Sequence, residues 1–105
     1  MFMRAIHPGV ILKDELDEVG ITPTEFARHI EVPPNRVSQI IAGKRSVTGD
    51  TALRFGHWFD TDPQFWLNLQ AQYELAVAGK ETGEIIKRLP TKANLPALPE
   101  QPRLA

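Results

Sequence analysis

Asn35 and Gln39 stand one helical turn apart in the stretch PPNRVSQIIAGKR, residues 33 to 45, and amide side chains at that spacing can pair with the donor and acceptor edges of bases in a DNA major groove. Wound at 3.6 residues per turn, Val37, Ile40 and Ile41 share one narrow stripe. Asn35 and Gln39 fall on the opposite side, and Arg36 and Ser38 flank them. Pro34 opens the helix and can offer only apolar contact, of the kind a thymine methyl accepts. An ordinary solvated helix face carries the same residue types, so the face alone does not decide its use. The elements around it do.

The preceding stretch, TPTEFARHI, is a second short helix with a complete start signal: Thr22 as N-cap, Pro23 at the first helical position and Glu25 closing a capping box. Its inward residues are Phe26, Ala27 and Ile30. Ala27 is small, as two helices crossing steeply require at their closest approach. Gly43 ends the second helix, and Lys44 and Arg45 come directly after it, where a basic pair meets phosphate. The amides at the start of the first helix, near Thr22, are a further phosphate position. Residues 22 to 45 thus read as a helix-turn-helix.

The rest of the chain reads as scaffold. A helix beginning at His7-Pro8-Gly9 and ending before Gly20 turns Leu12, Leu16 and Val19 inward and Lys13, Asp14, Asp17 and Glu18 outward. A fourth helix runs from about Thr48 to Phe59, with Ala52, Leu53, Phe55 and Phe59 as candidate core, Arg54 and His57 more exposed, and Trp58 closing the core or anchoring the next helix. Asp62-Pro63 restarts the chain into a fifth helix over 63–78 that is apolar on two sides: Phe65, Leu69, Tyr73 and Ala76 form one stripe, and Leu67, Ala71, Leu75 and Ala78 the other. A small domain can hardly bury both, so the second stripe, chiefly Leu67, Ala71 and Leu75, is expected to form a homodimer seam. Gly79 and Gly83 are expected to loosen the chain before a last short helix over GEIIKRL. Residues 90–105, with prolines at 90, 96, 99 and 102, read as a disordered or extended tail that could also bind a partner. The expected organisation is one all-α, five-helix domain over 1–89 with a C-terminal helical extension, then the tail.

Composition excludes more than it selects. With 105 residues the chain supports one domain. It has no cysteine, which removes disulfides, thiolate zinc sites and cysteine nucleophiles. The three histidines, His7, His29 and His57, have no metal-ligand spacing; His7 beside Pro8 is a helix-start residue. No phosphate loop appears, Ser38 and Ser46 have no matched base, and no apolar run suits a membrane span or signal peptide. The expectation is a soluble, cytoplasmic protein that is not an enzyme and uses no cofactor or metal. Its net charge of -1 argues against indiscriminate nucleic-acid binding. The basic excess is concentrated between residues 22 and 54, on the helix-turn-helix.

The spacing of Phe26-Ala27, Val32, Val37, Ile40 and Gly43-Lys44 resembles the helix-turn-helix of Cro/repressor-type (XRE) proteins. IHPGVIL at 6–12 and DTALRFGHWFDTDPQFWLNLQAQYEL at 50–75 are similar to HigA-type antitoxins of bacterial toxin-antitoxin modules, over roughly residues 4–89. The resemblance implies base readout by Pro34, Asn35 and Gln39, with Arg36 and Ser38 as neighbours able to reach a base or a phosphate. It also implies a near-palindromic double-stranded operator, and sequestration of a HigB-type toxin that cleaves mRNA on ribosomes. Two other readings fit the residues: a stand-alone repressor with no toxin, and a protein-binding inhibitor that keeps the fold without reading DNA. One residue departs from the family pattern. Glu31 stands where the turn usually has Gly, so either it adopts positive φ at a cost on the order of 1 kcal/mol or the turn differs.

Overall fold

The computed structural model describes residues 4–95. Five helices succeed one another along them: α1 (Pro8–Val19), α2 (Pro23–His29), α3 (Pro34–Ile41), α4 (Gly49–Phe59) and α5 (Pro63–Lys87), with no strand among the described residues. Each start has a chemical cause. His7 caps α1, its Nδ1 accepting from the Gly9 amide at 2.9 Å. At α2 the capping box closes in both directions: the Glu25 amide donates to Thr22 Oγ1 at 3.1 Å and the Thr22 amide to Glu25 Oε1 at 3.2 Å. Asp62 Oδ1 caps α5, accepting from the Gln64 amide at 2.9 Å. These bonds satisfy amides that a helix start leaves without partners.

The core is assembled from every helix. Leu12 and Leu16 of α1, Phe26 and Ala27 of α2, Val37 and Ile40 of α3, Ala52 and Phe55 of α4 and Trp66 of α5 are all buried. Phe26 is its centre, tilted against Phe55 at 5.5 Å and edge-on to Trp58 at 5.1 Å, while Phe55 meets Trp66 edge-on at 5.0 Å. Each such aromatic contributes roughly 1.5–3 kcal/mol through burial. Trp66 exacts one cost: its Nε1–H is buried with no acceptor among the described residues, a loss of about 1–3 kcal/mol. Where α1 crosses α3, Gly9 lies so near that a Cβ there would come within 1.9 Å of the Ile40 carbonyl oxygen.

Three expectations need correction. Val19 and Leu53 are 52% and 61% exposed, because a helical stripe gives a direction but not whether a neighbouring element covers it. The fifth helix does not stop near residue 78, nor is GEIIKRL a separate helix: α5 continues without a break for 25 residues. Gly79 and Gly83 each weaken a helix by roughly 1 kcal/mol relative to alanine, but adding a residue to an existing helix requires no new nucleus. Ala76, Ala78, Lys80, Glu81 and Glu84 around them are good helix formers. Ile41, expected inward, is only half-buried. Of the proline-rich 90–105 segment, residues 90–95 are not helical, and 96–105 lie outside the described residues.

Candidate nucleic-acid interface

α2, the turn and α3 present the expected face. Pro34, Asn35 and Ser38 are exposed, Arg36 and Gln39 are half-buried, and Val37 and Ile40 are buried beneath them. Glu31 does adopt the left-handed conformation, with φ 56°. The turn is held from behind by a residue that sequence alone placed as an exposed cation: Arg54 Nη1 donates to the Ile30 carbonyl at 2.7 Å. Asp50 in turn accepts from Arg54 Nε at 3.0 Å and from Arg36 Nη1 at 2.9 Å. The Arg54 hydrogen bond, and then Arg36, hold the Asp50 carboxyl below the usual carboxylate range. Arg36 is therefore tied to α4 in the unbound protein, and base contact by it first requires breaking that pair. The i,i+4 spacing of Asp50 and Arg54 was visible in the sequence. The link from Arg36 to Asp50, 14 residues apart, was not.

The two amides are not equivalent. Gln39 Oε1 accepts from Arg45 Nε at 2.9 Å, which leaves the Gln39 Nε2 hydrogens to donate outward. The expected two-point pairing with adenine needs both ends of the amide; Gln39 in this state offers one. No hydrogen bond engages the Asn35 side chain among the described residues, so it retains both. Ser38 Oγ donates back to the Asn35 carbonyl at 3.3 Å and is partly committed to its own helix.

The exit from α3 is fixed by backbone geometry. Gly43 has φ 74°, its amide donates to the Ile40 carbonyl at 3.0 Å, and the Lys44 amide donates to the Gln39 carbonyl at 2.8 Å. This pair of bonds is a Schellman motif, and it delivers Lys44 and Arg45 to the surface beside the helix end. From behind, Gln70 of α5 stitches the same loop, accepting from the Val47 amide at 2.9 Å and donating to Ser46 Oγ at 3.3 Å. A buried glutamine was not legible in a helix read for apolar stripes. His7 also reaches this loop, lining a shared depression with Ile41, Ala42 and Gly43. Burial pushes the His7 pKa down, and the nearby Arg45 backbone partly opposes the shift.

Thr22 stands at the start of α2 as its N-cap. Its hydroxyl and amide both take part in the capping box, and hydrogen bonding from Thr22, the backbone first, holds the Glu25 carboxyl below the usual carboxylate range. On α5, Leu67 is half-buried against the core, while Ala71 is exposed and Leu75 is 73% exposed. The expected seam is thus open along its outer part. Among the described residues no cluster of three or more His, Asp or Glu could hold a metal ion, and no helix is long and apolar enough to cross a membrane.

A surface that offers amides from one helix, a closing turn with two cations and a clamp behind the interhelical turn defines a helix-turn-helix protein. The helix-turn-helix family model matches residues 12–66. Virulence-associated protein I of Dichelobacter nodosus is 42% identical over 94 residues, 87% of each chain. Among solved structures, an addiction module antidote protein of a HigA family from Coxiella burnetii superposes with a TM-score of 0.82 at 46% identity, covering 85% of this chain and 98% of that one. Pseudomonas aeruginosa antitoxin HigA, solved with the higBA promoter, gives a TM-score of 0.81 at 42% identity, with coverage of 85% and 98%. The chain belongs to the XRE-type helix-turn-helix family, and its structural neighbours are HigA-family antitoxins. That family comprises DNA-binding regulators and antitoxins, not enzymes.

Proposed function

We propose that this chain is an antitoxin that represses its own operon: a homodimer that reads a near-palindromic operator through α3 and sequesters a HigB-type mRNA-cleaving toxin. The observation that carries the DNA half is the outward set Asn35 and Gln39 above buried Val37 and Ile40, closed by the Gly43 turn that presents Lys44 and Arg45. Asn35 and Gln39, with Pro34 beside them, read bases. Ser38 and, once released from Asp50, Arg36 assist at a base or a phosphate, and Lys44 and Arg45 hold phosphates. Because the Pseudomonas HigA relative was solved with promoter DNA, the same class of partner fits here. In the dimer, two copies of α3 would enter successive major grooves roughly 34 Å apart.

Dimerisation is supported by the length of α5. The stripe Leu67, Ala71 and Leu75 continues through Ala78 and Ile85 along one side of the helix, and from Ala71 onward all of these are exposed. A helix that continues beyond its own core with an apolar stripe facing outward is suited to a second copy.

Two experiments test the two halves separately. Retardation of the protein's own promoter fragment, competed with scrambled duplex, tests operator binding; equal competition by scrambled DNA would leave an inhibitor that does not read sequence. Co-expression with the product of the adjacent reading frame tests neutralisation. Growth arrest by that product, relieved by this chain, is expected; arrest that persists would reduce the function to a stand-alone repressor.

A further inference from the structure

We propose that the cleft between α1 and the α4–α5 turn is a docking site for a cationic, apolar-flanked segment of a partner polypeptide. The cleft has a volume of about 440 Å³ and is lined by Glu15, Phe59, Thr61, Asp62, Phe65 and Trp66, a size within the range of small ligand sites. None of these residues belongs to α3 or its exit loop, and none lies on the Leu67–Leu75 stripe, so an occupant here leaves both the proposed DNA face and the proposed dimer seam free.

Two features define the occupant. The walls are aromatic, and Phe65 is 44% exposed while packing edge-on to Trp66 at 5.3 Å. The rim is acidic: neither Glu15 nor Asp62 takes part in an ion pair among the described residues, no lysine or arginine lines the cleft, and Asp62 is engaged only through the Oδ1 that caps α5. Asp60, two residues before Asp62, adds a further negative charge. An arginine or lysine side chain lays its aliphatic stem along aromatic rings and sets its cation against carboxylates. An anionic ligand meets repulsion at the rim, and a purely apolar one supplies no cation to either carboxylate.

Within the proposed function the occupant is a basic segment of the toxin, and only that assignment rests on the toxin reading. The test therefore has two arms. In the first, the isotope-labelled protein is titrated with the acetylated, amidated tripeptides Leu-Arg-Leu and Leu-Glu-Leu, and the two indole N–H resonances are monitored. A saturable shift of Trp66 with the arginine peptide alone, weakened about fivefold in the E15Q/D62N double variant, supports the site. Asn at position 62 still caps α5, and retained helical circular dichroism would show that the variant is folded. An unmoved Trp66, equal response to both peptides, or full binding by the double variant would overturn the site. In the second arm the adjacent-frame toxin replaces the peptide, with operator affinity measured in parallel. Loss of toxin affinity by about tenfold in E15Q/D62N with unchanged operator affinity is expected. Full toxin binding by that variant would overturn the assignment of the toxin as occupant. Absence of toxin binding by the parent protein would defeat the neutralising half of the function, while the peptide arm still decides the cleft.

Discussion

Gln39 illustrates how a neighbour narrows what a side chain can read. With Oε1 accepting from Arg45, its free hydrogens suit an acceptor such as purine N7, and Arg45 acts as a positioning residue as well as a phosphate ligand. The substitutions Gln39→Ala and Arg45→Ala should therefore be non-additive on the operator, with a coupling of roughly 0.5–3 kcal/mol in a double-mutant cycle; strict additivity would mean that the contact does not survive on DNA. Glu31 makes a second residue-scale case. Its left-handed conformation is one that glycine adopts without strain, so Glu31→Gly should stabilise the fold by up to about 1 kcal/mol. Arg54→Ala should act in the opposite direction, by roughly 1–2 kcal/mol, because the Ile30 carbonyl loses a charged donor. Equilibrium denaturation of the two variants checks both signs.

The helices' starting points and inward faces were legible because their signals are local: Thr22-Pro23-x-Glu25, Asp62-Pro63 and the Val37, Ile40 stripe each act within two turns. What failed was non-local. Nothing in the spacing of Val19 or Leu53 says whether another element will cover them, and the partners of Gln70 lie about two dozen residues away, at Val47 and Ser46. Helix α5 also outran its glycines, and the extension supplies the element-scale prediction. Leu75→Glu with Ile85→Glu should abolish the dimer at micromolar concentration by light scattering while helical circular dichroism persists; a dimer that survives both changes is held elsewhere. His7 joins elements too, capping α1, meeting Tyr73 of α5 edge-on at 4.8 Å and reaching the α3 exit. Its pKa in the folded protein lies below the ordinary histidine value of 6.5, so the unfolded chain binds the extra proton first. The stability that neutral His7 provides is fully present above about pH 6.5 and is lost as pH falls toward the folded value. His7→Asn, which can still cap, should flatten that step in a pH series of melting curves; an unchanged step would assign it to another group.

At the scale of the whole molecule, a net charge of -1 coexists with a basic reading surface because the acidic residues are placed away from it or are tied into it. Asp14, Asp17 and Glu18 lie on the outer side of α1, and Glu15 and Asp62 rim the aromatic cleft. Asp50 is clamped between Arg36 and Arg54. Such a protein should gain little from phosphate neutralisation alone and discriminate through its few base contacts. The most direct measurement is a salt titration of binding to operator and scrambled duplexes by the parent protein and by the Gln39→Ala and Lys44→Ala variants. The parent should prefer the operator. Gln39→Ala should lose about 1–3 kcal/mol on the operator and little on scrambled DNA, and Lys44→Ala should weaken both and lower the salt slope by about one. Equal losses on both duplexes for Gln39→Ala, or a parent without operator preference, would contradict sequence reading by α3.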